Sequence, residues 1–256
     1  MPILVFLHGL LGAKEDWQEV RTLLSQKAIA NIALDLPAHG EAKQLSVKNF
    51  EQCTEYLYHN IKQAIGEQDY ILVGYSLGGR LALYYALQGE QGKKDPHLKG
   101  LILEGANFGL TTAEEKQIRW QNDQKWAGRF CGEDLANVLE DWYQQEVFAH
   151  LNANGRQALI QERGQNQGQC IGTMLAATSL AKQPYFGAEV KTRVQNAVPP
   201  FDYFYYFCGE QDLKFQKMIK NHQLASTLIS NAGHNSHKES PVLFAEKLMA
   251  IMQKFS

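Results

Sequence analysis

The sequence predicts an α/β fold, with a mainly parallel, doubly wound sheet and a helical segment inserted after its fourth strand. Short apolar segments alternate with amphipathic ones through the first hundred or so residues. This alternation is typical of parallel strands joined by crossover helices. From about residue 111 the patterns are helical with no strand between them, and strand patterns resume at residue 202. The change of character indicates an insertion into one sheet.

The predicted strands are short apolar runs at residues 3–7, 31–35, 71–73, 100–104, 202–208 and 226–230. Apolar side chains at helical spacing predict helices at residues 15–24, 46–65, 81–87 and 241–255. Within the insertion, helices are predicted at residues 114–130, 134–148, 157–163 and 172–181. We therefore expect a core formed by residues 1–108 and 200–256, and a helical cap or lid formed by residues 109–199.

Composition excludes several classes of function. With 256 residues, 45% of them hydrophobic, the chain can bury one large core. A net charge of −2 gives no reason to expect nucleic acid or an anionic membrane as a partner. No apolar run is long enough to span a bilayer, and the first residues lack a signal-peptide pattern. Four scattered cysteines indicate neither a metal site nor a disulfide framework. We expect a reduced, cytoplasmic monomer with a small-molecule partner.

Residues 70–80 contain a strand, a sharp turn and the start of a helix. Between strand and helix, Gly74-Tyr75-Ser76-Leu77-Gly78 matches Gly-x-Ser-x-Gly, the pattern of a nucleophile elbow. A serine in this turn has a strained backbone, and the glycines keep the strand and helix from colliding. The pattern also occurs by chance in loops, but here both flanking elements are predicted. Ser76 is therefore the candidate catalytic residue.

A serine hydroxyl needs a histidine to take its proton and a carboxylate to orient that histidine. Asp212 and His234 each follow a predicted strand, and the order Ser, Asp, His is the one that accompanies such an elbow. The alternatives are Glu210 and Asp35 for the acid, and His237 for the histidine. An oxyanion hole is expected from the backbone N–H groups of Leu77 and Leu10, while His8 is expected to hold the first turn.

Arg80 lies one helical turn beyond Ser76 and should share its face of the helix. A guanidinium at that place needs an anion, because it cannot shed its charge. The string Gly-Tyr-Ser-Leu-Gly-Gly-Arg, residues 74–80, resembles the 2-succinyl-6-hydroxy-2,4-cyclohexadiene-1-carboxylate synthases, α/β-hydrolase-fold lyases of menaquinone biosynthesis. Similar strings occur at residues 7–12, 16–18, 35–40, 127–130, 141–145, 147–149, 177–181 and 208–212. One departure is Ala38, which stands where the family pattern has a second glycine.

The resemblance implies a substrate with three carboxylates and a reaction that eliminates pyruvate without metal or organic cofactor. It also implies further substrate-binding residues in the lid and pocket, namely Arg119, Arg163, Tyr75, Trp142 and Phe148. Arg129 and Arg156 are nearby alternatives, because helix register cannot be determined from sequence. Two other functions remain open. One is a serine hydrolase acting on an ester or carbon–carbon bond of a small acid, and the other is a non-catalytic binding protein of the same fold.

Overall fold

A computed structural model describes residues 1–255 and contains one six-stranded sheet in which all neighbouring strands are parallel. The strands are β1 (Ile3–Leu7), β2 (Asn31–Leu34), β3 (Tyr70–Tyr75), β4 (Leu98–Glu104), β5 (Phe204–Gly209) and β6 (Thr227–Ile229). Their order in the sheet is β2-β1-β3-β4-β5-β6. The predicted fold class is confirmed, and each strand overlaps its predicted segment.

The helices before β4 are α1 (Gln18–Ser25), α2 (Phe50–Ile65) and α3 (Leu77–Leu87). Between β4 and β5 lie α4 (Ala113–Gly132), α5 (Leu135–Trp142), α6 (Ala153–Arg163), α7 (Gly168–Ala177) and α8 (Gly187–Gln195). After β5 come α9 (Leu213–Asn221), α10 (Ser236–Glu239) and α11 (Pro241–Met252). The sequence patterns missed α8, α9 and α10, which are short. The helix predicted at residues 134–148 is longer than the observed α5. After Trp142 the chain turns, and residues Glu146–Phe148 form a separate short 3-10 helix.

Each face of the sheet is covered by its own apolar layer. One layer packs α2, α3 and α8 against the sheet, with side chains such as Leu57, Leu81 and Val190 fully buried. The other layer packs α1 and α11 against the opposite face. The strands can be apolar along their whole length because both faces are covered, which is the reason parallel strands appear as continuous hydrophobic runs.

The helices between β4 and β5 have a small core of their own. It contains Phe130, Val138, Leu139 and Ile171, and it reaches Leu11 in the turn after β1. These helices thus pack on the same edge of the sheet at which β1 and β3 end. None of the helices in the described part of the chain is long and apolar enough to cross a membrane.

The strand order reverses direction between β1 and β3, since β2 lies on one side of β1 and β3 on the other. Open parallel sheets bind ligands at such a switch point, outside the carboxyl ends of the strands. Here the turn after β1, which contains Leu10, faces the turn after β3, which contains Ser76. A Cβ added to Gly9 would lie 2.7 Å from the Tyr75 ring, so the two turns are in contact.

Ala38, the departure from the family pattern, has a φ of 69°. This left-handed conformation costs an alanine roughly 1 kcal/mol relative to glycine. The side chain is 3% exposed and belongs to the core beneath α2 and α3. Burial of its methyl group, worth about 0.8 kcal/mol, offsets most of that strain.

Candidate active site

Ser76 occupies the turn between β3 and α3, with φ 49° and ψ −107°. Few non-glycine residues adopt this conformation, which lifts the side chain out of the sheet edge. The turn is tight because Gly74 and Gly79 touch, and a Cβ on Gly74 would lie 2.6 Å from the Gly79 backbone. The Ser76 N–H donates to the carbonyl oxygen of Glu104, 2.8 Å away, which anchors the turn to β4.

His234 and Asp212 follow β6 and β5 and meet beside this turn. The Nδ1 atom of His234 lies 2.7 Å from Oδ2 of Asp212, and both side chains are buried. The Asp212 Oδ1 atom accepts the N–H of Phe215 at the start of α9, and the Phe215 ring stacks on the imidazole. With Nδ1–H donated to the carboxylate, Nε2 is the atom left to accept a proton.

One cavity of about 640 Å³, its open mouth included, contains both Ser76 and His234 in its wall. Within residues 1–255 no hydrogen bond joins the Ser76 hydroxyl to His234. The structure therefore brings the serine and histidine to one cavity and the aspartate to the histidine. The remaining wall residues are Arg80, Gly105, Asn107, Arg119, Trp142, Gln145, Val147, Phe148, Leu180, Lys214 and Phe215.

The charged groups of this wall all carry positive charge. Arg80, Arg119 and Lys214 line the cavity, and no Asp or Glu of the described chain is in its wall. Burial, and then repulsion by Arg119, lower the pKa of the Arg80 guanidinium. Desolvation of the ammonium group and the same neighbour lower the pKa of Lys214, although the residue as a whole is exposed. Such mutual repulsion means that an anion in the cavity would be held strongly.

Both arginines are held by hydrogen bonds to residues of the segment between β4 and β5. Arg80 donates Nε–H to Oε1 of Gln183 at 2.6 Å and an Nη2–H to the carbonyl oxygen of Thr178 at 2.5 Å, and packs its guanidinium over the Phe50 ring. Arg119 donates Nε–H to Oδ1 of Asp123 at 2.7 Å. The other Asp123 oxygen accepts the Ser179 hydroxyl at 2.6 Å, so a buried acid orients Arg119. Arg80 keeps the Nη1–H groups and one Nη2–H group, and Arg119 keeps both of its Nη groups, for a ligand.

The structure does not place Arg163 or Tyr75 in the cavity wall. The Arg163 guanidinium forms two parallel bonds to Asp16, of 2.8 and 2.9 Å, in the turn before α1. Tyr75 is buried beneath the turn after β1, with its ring 5.3 Å from that of His234. By contrast, Trp142 and Phe148, predicted with them, do line the cavity.

Sequence reasoning missed Lys214, the third cationic group of the wall. It lies two residues after Asp212, at the start of α9. The sequence patterns do not predict α9, so they do not predict the direction of the Lys214 side chain either. A lysine two residues after a candidate catalytic acid was the available signal, but Lys217 and Lys220 follow it closely and made it inconspicuous.

The predicted oxyanion donors lie on adjoining turns. Among the described residues, the N–H groups of Leu77 and Leu10 have no hydrogen-bond partner. The turns themselves are held by His8, whose Nε2 accepts the Leu36 N–H at 3.0 Å, and by His39, whose Nε2 accepts the Leu11 N–H at 3.0 Å. Burial lowers the pKa of His8 to about 4 and that of His39 to about 3.

The competing acids and histidine have other contacts. Asp35 accepts the N–H groups of Lys14 and Glu41, and Glu210 accepts the N–H of Asn231. His237 is buried and pairs with Glu104 at 2.7 Å. Of the two alternative arginines, Arg129 pairs with Glu133 and Asp141, and Arg156 contacts the carbonyl of Leu151. None of these five residues is in the cavity wall.

Residues 2–241 match the α/β-hydrolase-fold family. The chain is 40% identical over 255 residues to the 2-succinyl-6-hydroxy-2,4-cyclohexadiene-1-carboxylate synthase of Yersinia pseudotuberculosis, covering 100% of this chain and 89% of that protein. A protein of Haemophilus influenzae that provisionally carries the same name is 51% identical over 245 residues, covering 96% and 95%. The chain belongs to this synthase family. The resemblance indicated by the sequence motifs is thereby confirmed.

Solved structures agree with the synthase family at the level of fold. MenH from S. aureus superimposes with a TM-score of 0.82 at 25% identity, covering 99% of this chain and 94% of that one. A thermophilic esterase from Thermogutta terrifontis has a TM-score of 0.77 at 18% identity, covering 99% and 90%. At that identity the esterase shows a shared fold and no more.

Proposed function

We propose that this chain is a 2-succinyl-6-hydroxy-2,4-cyclohexadiene-1-carboxylate synthase, a lyase of menaquinone biosynthesis. Its substrate would be 2-succinyl-5-enolpyruvyl-6-hydroxy-3-cyclohexene-1-carboxylate, from which it eliminates pyruvate. The proposal is supported by the family and by one observation on this chain. The cavity that contains Ser76 and His234 has three cations and no acid of the described chain in its wall, which suits a substrate with three carboxylates.

The Asp212–His234 pair supports a role for Ser76 as general base. We infer that the Ser76 hydroxyl turns toward Nε2 of His234 when substrate fills the cavity, and gives up its proton there. The serine then removes the ring proton beside the succinyl ketone. The electron pair shifts through the ring, the carbon–oxygen bond to the enolpyruvyl group breaks, and the departing enolate takes up a proton to become pyruvate. Asp212 stabilises the positive imidazole during the transfer.

Negative charge on the ketone oxygen would be stabilised by the N–H groups of Leu77 and Leu10. Their turns are in contact and both N–H groups are free among the described contacts, as an oxyanion hole requires. Arg80, Arg119 and Lys214 would each hold a carboxylate, and Trp142 and Phe148 would cover the ring. We further propose that residues 109–199 act as the cap, because they supply Arg119 and both aromatic side chains.

Pyruvate release from the enolpyruvyl substrate by purified protein tests this function. Ser76→Ala should lower kcat by at least about a thousandfold while the Kd for substrate changes little, since the hydroxyl acts on the proton and not on the carboxylates. Ser46→Ala, at an exposed position, is the matched control. If Ser76→Ala kept most of its rate, serine would not be the base.

The same preparation distinguishes the alternatives. A serine hydrolase would give a burst of product with an activated ester and would be labelled covalently on Ser76 by a phosphonate. A binding protein would retain substrate with neither turnover nor label. Pyruvate release without an acyl-enzyme burst is the result expected for the lyase.

A further inference from the structure

The last residue of β4 connects the two turns that bear the proposed catalytic groups. Glu104 pairs with Tyr75 in the register of β3 and β4, and its carbonyl oxygen accepts the Ser76 N–H at 2.8 Å. Its side chain is 1% exposed although it carries a carboxylate. Burying a carboxylate costs free energy unless hydrogen-bond donors surround it. The donors that contact Glu104 therefore indicate which part of the chain it positions.

Those partners all belong to the segment that follows His234. Oε1 of Glu104 accepts the Ser236 hydroxyl at 2.7 Å and the His237 N–H at 3.0 Å. Oε2 lies 2.7 Å from Nδ1 of His237. One side chain therefore receives three hydrogen bonds from residues two and three positions after His234. These bonds hold the start of α10 against the end of β4.

The residue after Glu104 contacts the catalytic histidine itself. Gly105 has a φ of 56°, and a Cβ added there would lie 2.6 Å from Cε1 of His234. On the other side, the His237 ring stacks on Trp17 at 3.8 Å and meets the Tyr75 ring at 5.0 Å. The His234 segment is thus packed against β4 and cannot move without breaking the contacts of Glu104.

We propose that Glu104 is a positioning residue for the proposed elimination, setting the distance between the Ser76 hydroxyl and the His234 imidazole. It acts on Ser76 through its backbone and on His234 through Ser236 and His237. The inference rests on the proposed function, because Ser76 and His234 are the catalytic groups of that proposal; Glu104 itself is not in the cavity wall. The positioning role also explains why residue 104 is a glutamate. An ionised carboxylate only accepts hydrogen bonds, and three donors converge on this one.

Glu104→Gln tests the proposal at nearly constant volume. The amide can accept from Ser236 and the His237 N–H, but it then directs its NH₂ group at Nδ1 of His237. To accept that bond, Nδ1 of His237 would have to lose its proton, and the proton would move to Nε2. The buried Nε2 has no hydrogen-bond partner among residues 1–255, so this tautomer is unfavourable. The segment should shift, and a misplacement of about 1 Å in a catalytic geometry costs up to about a hundredfold in rate.

Asp95→Asn is the matched control. The Asp95 side chain is also buried and accepts the Tyr70 hydroxyl at 2.9 Å, but Tyr70 begins β3 and Ser76 follows its other end. We expect Glu104→Gln to lower kcat by about tenfold or more with KM within about twofold, and Asp95→Asn to lower only the melting temperature. A Glu104→Gln enzyme with kcat within about twofold of the parent, or an equal loss in Asp95→Asn, would overturn the proposal.

A measurement without substrate separates this inference from the proposed function. The proton on Nδ1 of His234, bonded to Asp212, should give a low-field NMR signal that His234→Gln lacks. Glu104→Gln should move that signal and Asp95→Asn should not; an unmoved signal refutes positioning even if pyruvate is never released.

Should Glu104→Gln fail to fold, Ser236→Ala removes a single bond and is expected to lower kcat several-fold at constant KM. Unchanged kcat in that variant would also refute it.

Discussion

A substitution of Arg163 can distinguish two roles for this residue. It either binds substrate or attaches the proposed cap to the core. Its guanidinium joins α6 of the cap to Asp16 of the core through two bonds of 2.8 and 2.9 Å, and both residues are buried. Burial alone would raise the pKa of Asp16, but the adjacent Arg163 charge holds it well below its usual range. The pair thus contributes to the attachment of the cap, in contrast to the substrate contact that the sequence resemblance implies.

Arg163→Met keeps the apolar stem and removes the charge. Asp16 would then be a buried carboxylate whose nearest remaining cation is the Lys238 ammonium at 3.3 Å. Breaking one side of such a pair costs about 3 kcal/mol, and about 2–4 °C of melting temperature accompanies each kcal/mol in a chain of this size. We expect a fall of roughly 6–12 °C in thermal denaturation followed by circular dichroism.

Arg193→Met is the control, since Arg193 forms a partly exposed pair with Glu189 whose loss should cost less than about 1 kcal/mol. The double variant Asp16→Asn/Arg163→Met should recover part of the loss, because it leaves no unpaired buried charge. If Arg163→Met melted at the temperature of the control while KM rose about tenfold or more, Arg163 would be a substrate ligand and this reasoning would be wrong.

Three further predictions follow from single features. Lys214→Gln should raise KM about tenfold and Lys214→Arg should raise it less, because a charge-assisted bond to a carboxylate is worth about 1.5–3 kcal/mol; Lys217→Gln, exposed on the same helix, should leave KM unchanged. Ala28→Gly should raise the free energy of unfolding by about 1 kcal/mol in urea titration, because Ala28 is exposed with a φ of 55°, and no gain would contradict the strain argument. His8 and His39 have lowered pKa values of about 4 and 3, so the unfolded chain binds more protons than the folded one below pH 6.5. Their stabilisation is complete above pH 6.5 and is lost as the pH falls toward 4, by about 2 kcal/mol per histidine between pH 7 and 5, and equal urea midpoints at those pH values would refute it.

The local sequence pattern was enough to predict the strands and the long helices. Each strand is a continuous apolar run, and each long helix repeats its apolar positions at helical spacing. The pattern failed at α9, which has nine residues and is started by the Asp212 side chain accepting from Phe215, a contact that pattern does not show. Missing α9 hid Lys214. The placement of Ser76, Asp212 and His234 followed from a different rule, that parallel strands end at one edge of the sheet.

The sequence by itself determined the fold class, the elbow at Ser76 and the order of the proposed catalytic residues, because these depend on periodicity and on residues close in the chain. Only the tertiary structure decided which basic side chains face the cavity. The direction of a cap side chain depends on helix register and on distant partners, so Arg163 meets Asp16, 147 positions away, while Arg119 and Lys214 reach the cavity wall. The same holds for Glu104, whose carboxylate receives bonds from residues 132 and 133 positions further along.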